Sequence, residues 1–210
     1  MNKNARLFRA FLFLLLPLSV YFSRLMNKLK RKLGEENMKK KIIIWQLIGF
    51  GITSVGGVLL HFLYDASGES LLAAPFSGIN ESTWEHMKLL FWPAFIYALI
   101  ESFAFKERND FWCIKLKGIL LALILIPVIF YTYNGVIGKS PDWINISIFF
   151  IAVAVSTISE IRKLFRPEKI CKPYLALALL LGIAIAFITF TFVTPKIGIF
   201  MDPTNHSYGI

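Results

Sequence analysis

Residues able to bind a cation stand on both sides of one connection in this sequence. Two of them close a long apolar stretch and three open the next: His61, Asp65, Glu81, Glu85 and His86. Neutral imidazoles and carboxylates are ligands that zinc accepts, and a set of three or four leaves room for an open position. These residue types predict a polar site, and a divalent metal is one candidate ligand.

The expected roles follow from side-chain chemistry. Carboxylates would bind a cation or accept protons, and histidines would titrate or ligate, with His61, Glu85 and His86 as the candidate metal ligands. Trp84 would wall the pocket. Glu101, the deepest acid, would extend a proton path inward or pair with a base such as Lys117. The spacing fits no HExxH motif and no Ser-His-Asp set.

A purely structural interpretation competes for the same stretch, INESTWEHMKLLFWPAF, residues 79–95. Ser82 and Glu85 fit a capping box at a helix start, with Asn80 as a rival N-cap. Lys88 can neutralise one glutamate, which leaves the other spare. His61 could simply hydrogen-bond Asp65 one turn away.

The elements that position these residues are transmembrane helices. The 210 residues are 56% hydrophobic with a mean hydropathy of +0.62, well above an ordinary globular chain. Segments of about 17 to 25 apolar residues can cross a bilayer as helices. Five pass, or six if residues 7–23 also insert: residues 42–64, 87–105, 116–133, 144–159 and 174–194. The expected fold is an all-α polytopic bundle in a lipid bilayer.

Small residues indicate which face of the first span is buried. Gly49, Thr53, Gly57, His61 and Asp65 follow one another at a spacing of four, so they share one face of a helix. Small side chains let helix backbones approach closely in membranes. We therefore expect this row to face other helices and to point His61 and Asp65 into the bundle.

Orientation follows from the positive charges. Most Lys and Arg of the connections fall on one side, which the positive-inside rule assigns to the cytoplasm. Residues 65–86 and the C-terminal tail then lie on the outer face of what looks like a bacterial cell membrane. Cys113 and Cys171 fall on the cytoplasmic side, where thiols stay reduced, so no disulfide is expected.

Residues 1–37 differ from the rest and carry much of the excess positive charge. We expect an N-terminal extension outside a single domain of residues 38–210, with Met38 as the native start. The alternative is an interfacial segment that favours anionic lipid. No motif of nucleic-acid binding occurs elsewhere, so the charge does not indicate a nucleic-acid partner.

The segments HFLYD, GINESTWEHMKLLFWP and FMDPTNHSYGI resemble a family of small multi-pass bacterial membrane proteins of unknown function. The resemblance covers residues 41–210, and its distinctive part is the NEST-WEH segment. It implies a membrane location and a multi-helix fold. It implies no activity, substrate or catalytic residue.

Together these features predict a membrane protein that handles a small ligand or ion through a polar site at its outer face. A membrane-embedded, metal-dependent hydrolase or transferase is the alternative from another class. A structural or accessory subunit without a site of its own is the third.

Overall fold

Five α-helices make up most of the part of the chain that the structure describes. The computed structural model describes residues 3–138, 141–166 and 170–210, with side chains described for Lys28, residues 33–138, 141, 143–166 and 170–210. The helices are α1 Lys3–Ala66, α2 Thr83–Ala104, α3 Phe111–Ile137, α4 Asp142–Leu164 and α5 Pro173–Phe192, followed by a 3-10 turn at Gly198–Phe200. The described part contains no β-strand beyond one isolated bridge, Met201 with Tyr208. The predicted all-α fold is confirmed.

Five of the described segments are long and apolar enough to cross a membrane, and each contains one of the five predicted spans or most of it. The first of these segments is the Leu33–Ala66 part of α1. Residues 7–23, the candidate sixth span, belong to α1 itself and not to a separate helix. The chain forms two compact units, Met1–Ile42 and Ile43–Ile210, and the polar site and bundle described below belong to the second.

The second unit carries apolar side chains outward and polar ones inward. Leu59, Phe103 and Ile185 are more than half exposed, whereas Lys88 and Glu101 are fully buried. Apolar side chains face outward without cost where lipid replaces water, and buried charges then need partners inside the bundle. This distribution is what a bilayer environment favours.

The small-residue row of α1 faces other helices, as predicted. A methyl group added at Gly49 would lie 2.6 Å from the Tyr97 ring of α2, and one added at Gly57 would overlap the Phe149 ring of α4. The Tyr97 hydroxyl donates a 2.6 Å hydrogen bond to the Trp45 carbonyl, a further contact between α1 and α2. Helix α3 packs against α2, α4 and α5.

Two cysteines meet at the end of the bundle where α2 ends and α3 begins, which we call the α2–α3 end. Cys113 and Cys171 form a disulfide, with their Cα atoms 6.0 Å apart. The expectation of two free thiols is therefore wrong. The reason is topological: the connections before α3 and before α5 return to the same end and bring the two residues together.

Candidate functional site

The opposite end, where α1 ends and α2 begins, carries the histidines and is called the α1–α2 end. Ser82 is the N-cap of α2, and its hydroxyl accepts a 3.4 Å hydrogen bond from the Glu85 amide. The Glu85 carboxylate accepts from the Ile79 amide at 3.1 Å, while the Ser82 amide donates to the Asn80 side chain. Only the serine half of the predicted capping box is formed.

Glu85 is held in a buried ion pair. The Lys88 ammonium lies 2.6 Å from the Glu85 carboxylate, and the two side chains are 0% and 4% exposed. The other donors of Lys88 reach the Ala74 carbonyl and the Thr191 hydroxyl, each at 2.9 Å. All three ammonium protons are therefore used, and Glu85 is removed from the set of predicted metal ligands.

Glu81 takes the place that the sequence assigned to Glu85. Its carboxylate lies 3.8 Å from His61 Nε2 and 3.6 Å from His86 Nε2. One ligand atom from each of the three residues lies within 4.8 Å of the other two. Glu81 is 46% exposed and His61 38%, so this His61–Glu81–His86 triad is accessible, unlike the Lys88–Glu85 pair.

A backbone contact fixes the proton on His86. The Nδ1 atom lies 3.0 Å from the Ser82 carbonyl oxygen. Because a carbonyl oxygen only accepts, Nδ1 carries the proton and Nε2 of the neutral ring presents a lone pair. The 3.6 Å from Nε2 to Glu81 is longer than a hydrogen bond. His86 Nε2 therefore lies beside the carboxylate without a hydrogen bond to it.

The C-terminal tail binds the backbone of Glu81 through Asp202. Asp202 accepts a 3.2 Å hydrogen bond from the Glu81 amide and a 2.7 Å bond from the Thr204 amide. Asp202 is 3% exposed. Burial favours its neutral form, but hydrogen bonds from Thr204, Glu81 and Asn205 outweigh that and keep the pKa of Asp202 below its usual range. Asp202 therefore stays ionised at the N-terminal end of α2.

The triad lines one side of a cavity of about 430 Å³. Its wall changes from polar to apolar, with residues from α1, α2, α3, α4 and the tail: His61, Glu81, Thr83, His86, Ile126, Phe130, Asn134, Asn145, Ile146, Ile148, Phe149, Pro203 and Thr204. A volume of this size suits a small molecule, and such pockets commonly combine an apolar wall with a few convergent polar groups.

Three other predicted site residues lie elsewhere. Asp65 is exposed at the end of α1 and does not belong to the triad. Trp84 packs between Phe187 and Phe200, with ring centroids 4.6 Å from each, and does not line the cavity. Glu101 lies 15 residues beyond His86 on α2, about 22 Å along the helix axis.

Glu101 belongs to a second buried cluster, with Gln46, Lys115 and Glu160. The Lys115 ammonium lies 2.5 Å from the carboxylate of Glu101 and 2.5 Å from that of Glu160. Gln46 donates a 2.6 Å hydrogen bond to Glu101. The predicted partner in this ion pair was Lys117, but Lys115 is the lysine that binds Glu101. The cavity beside this cluster measures only about 30 Å³.

Sequence reasoning missed the contribution of the tail and of α3 and α4. Thr83, Asn134, Asn145 and Thr204 line the cavity. Asn134 and Asn145 flank the connection between α3 and α4, and a polar residue at a span end is also typical of an ordinary membrane interface. The one available signal for the tail was its polar, turn-rich segment DPTNHSYG.

The fold and the site define an all-α bundle with five helices able to span a membrane and a His-Glu-His cluster at one end. Within that class, the chain belongs to the family of unknown function DUF6512, whose model matches residues 34–210. Comparisons with curated proteins and with solved structures found no match. The family carries no function with it, so a functional argument depends on the site.

Proposed function

We propose that the protein is an integral membrane protein that binds a small ligand or ion, cationic in character, at the triad on the outer face of the membrane. The observation that carries this proposal is the accessible Glu81 carboxylate between two imidazoles, on the wall of a cavity of about 430 Å³. A polar group of this kind within a membrane domain is a functional candidate by default, because burying it has a cost.

The charges of the bundle support a cation as the ligand. The buried acid Glu85 lies 2.6 Å from the Lys88 ammonium, and the buried acids Glu101 and Glu160 share the ammonium of Lys115. Among the described ion pairs, Glu81 meets only His61 and His86. A cation that entered the cavity would therefore meet a carboxylate that has no lysine or arginine partner among the described ion pairs.

A metal-dependent hydrolase or transferase acting on lipid or envelope substrates is the second candidate. Three ligating groups beside an open cavity favour it, since catalytic metal sites keep a position for water or substrate. Such an enzyme also needs a general base near the bound water. Glu85, the second glutamate of the segment, is locked to Lys88 and is not free for that role. Ligand or ion handling is therefore the better-supported function.

Thermal unfolding of the purified protein in lipid nanodiscs tests the proposal. The probes are sodium, magnesium, calcium and zinc ions and small alkylammonium ions. A ligand that binds only the native state stabilises it by about 2.7 kcal/mol at 100 times its dissociation constant. We expect at least one probe to raise the unfolding temperature, Glu81→Gln to abolish the effect, and Asp65→Asn, a matched exposed acid, to retain it.

A panel without effect, or an effect that Glu81→Gln retains, would contradict the proposal and favour a structural or accessory role. Turnover of a lipid ester probe by the metal-loaded protein, lost in Glu81→Gln, would favour the enzyme instead.

Orientation is part of the same proposal. We place the protein in a bacterial cell membrane, and the charge pattern supports an orientation with residues 65–86 and the tail on the outer face. The Cys113–Cys171 disulfide at the α2–α3 end is the observation that argues against placing that end in the cytoplasm. That Met1–Ile42 is a compact unit of its own supports treating the N-terminal segment as an extension.

A further inference from the structure

The geometry points to a zinc-class metal site: we infer that His61 Nε2, His86 Nε2 and one carboxylate oxygen of Glu81 bind a single divalent transition-metal ion. The inference rests on the proposed function and names its ligand. Two imidazoles and a carboxylate suit zinc and its neighbours, whereas magnesium and calcium prefer oxygen ligands alone.

The distances are close to those a metal requires. Ligands about 2.0 to 2.1 Å from a tetrahedral ion are separated from one another by about 3.3 Å. In the triad Glu81 Oε2 lies 3.6 Å from His86 Nε2, and the other oxygen, Oε1, lies 3.8 Å from His61 Nε2. One ligand atom from each residue lies within 4.8 Å of the other two, so binding would draw the three together by rotation of the half-exposed Glu81 and His61 side chains. The same distances are too long for hydrogen bonds, so a hydrogen-bonded chain does not explain the cluster.

The hydrogen bond that His86 makes to the backbone is typical of a metal-binding histidine. Ligating imidazoles usually donate their other N–H to a carboxylate or a backbone carbonyl, which fixes the tautomer and the ring orientation. His86 does this through Nδ1 to the Ser82 carbonyl at 3.0 Å. The Ser82 carbonyl lies in the first turn of α2, where the amide of Glu81 is held by Asp202. The start of α2 thus fixes both Glu81 and the Ser82 carbonyl that orients His86.

The remaining coordination position faces the cavity. All three ligating residues line the same volume of about 430 Å³, together with Thr83, Asn134 and Thr204. A molecule in the cavity could therefore reach the ion, which makes the site an open one and not a closed structural centre. The ligand class that fits is one with a metal-binding polar end and an apolar body.

Zinc titration of the untagged, chelator-stripped, full-length protein in nanodiscs tests the inference. We expect one zinc ion per chain by calorimetry and by elemental analysis. Glu81→Gln, His61→Asn and His86→Asn should each weaken binding by more than about 100-fold, beyond what loss of an outer-shell partner costs. The controls Asp65→Asn and His206→Asn should bind as the unmodified protein does.

Each other outcome overturns the inference in a recognisable way. Zinc binding lost in His206→Asn, or retained in all three triad variants, would place the ion elsewhere. If zinc fails to bind while another cation stabilises the protein through Glu81, the zinc-class assignment is wrong and the proposed function is still supported. If no cation acts through Glu81, both fall. An unchanged helical circular dichroism spectrum of a variant shows that its loss of zinc binding does not result from unfolding. The stoichiometry is measured on the unmodified protein alone.

Discussion

Glu81 and Glu85 stand four residues apart at the start of α2, and their carboxylates occupy different surroundings. Glu85 is 4% exposed and is bound by Lys88, whereas Glu81 is 46% exposed and faces two histidines. Removing the partner of a buried charge is costly, but changing an accessible charge usually is not. The two glutamates should therefore affect different properties, stability for Glu85 and ligand binding for Glu81.

We predict that Lys88→Met lowers the free energy of unfolding by about 3–5 kcal/mol, because it leaves Glu85 buried without its counter-charge. Chemical unfolding in nanodiscs measures this loss. Adding Glu85→Gln should recover a large part of the stability, and the exposed control Lys196→Met should have little effect. Equal stability of the single and double variants would show that the pair is not the source of the effect.

The sequence allowed part of this arrangement to be predicted. The three-residue spacing of Glu85 and Lys88 made one neutralised glutamate and one spare glutamate a reasonable expectation. The sequence could not show whether Glu81 or Glu85 pairs with Lys88. The Lys88 ammonium is also bound by Ala74 and Thr191, which lie elsewhere in the chain. Asp65 was expected to point inward, but a row at spacing four turns by about 40° per step on a helix of 3.6 residues per turn. The last member of the row has turned away from the triad.

At the scale of the elements, α1 is positioned by close contacts at its glycines. The added methyl group at Gly57 would overlap Phe149, whereas nothing lies within 4 Å of one added at Gly51. Because His61 is one turn beyond Gly57, this contact also sets the place of one triad ligand.

We predict that Gly57→Ala destabilises the bundle by about 1–3 kcal/mol through overpacking. Gly51→Ala on the same helix should be neutral or stabilising, by up to about 1 kcal/mol, because alanine is the better helix former. Thermal unfolding of both variants measures the difference. Equal effects of the two substitutions would mean that α1 does not pack through Gly57.

The tail is the second element that positions the triad, through Asp202 and the Glu81 amide. The folded-state pKa of Asp202 is lowered, so its contribution to stability is fully present above the ordinary carboxyl pKa of about 3.9 and is lost as the pH falls through the lowered value.

We predict that Asp202→Asn weakens tail docking at neutral pH and removes the acid-dependent part of it. Hydrogen-exchange protection factors of residues 79–83 and 202–208, each referred to unstructured peptide at the same pH, report docking. Asp65→Asn is the control and should behave as the unmodified protein does. Protection that is unchanged in Asp202→Asn at neutral pH would exclude the carboxylate as the tail anchor.

Helices and tail differ in how well the sequence indicates them. Long apolar runs and their caps predict helices directly, and the N-cap of α2 is the predicted Ser82. The tail folds through contacts distant in sequence, such as Asn80 with the Gly209 carbonyl at 3.3 Å. No local pattern encodes such contacts, so its part in the cavity wall could not be anticipated.

At the scale of the whole molecule, two of the polar clusters among the described residues differ in kind. The cluster of Gln46, Glu101, Lys115 and Glu160 is buried beside a cavity of about 30 Å³, whereas the triad lines about 430 Å³. In the buried cluster two carboxylates share the Lys115 ammonium, whereas the accessible Glu81 has no lysine or arginine partner among the described ion pairs. The sequence did not predict the buried cluster, because Lys115 and Glu160 each stand next to the end of a predicted span, where charged residues are common.

We predict that the triad and the tail face the outside of the cell. A protease site appended after Ile210 should be cleaved by protease added to intact cells or spheroplasts, and one placed in the connection between α2 and α3 should not. The opposite pattern would invert the assignment from the positive charges and would agree with an oxidising compartment around Cys113 and Cys171.

The most direct test of the central claim is X-ray absorption at the zinc edge of the zinc-loaded, untagged protein. The account predicts one ion per chain with nitrogen and oxygen ligands at about 2.0 to 2.2 Å and the scattering pattern of two imidazoles. A sulfur ligand, a shell without imidazole, or the absence of stoichiometric zinc would contradict it.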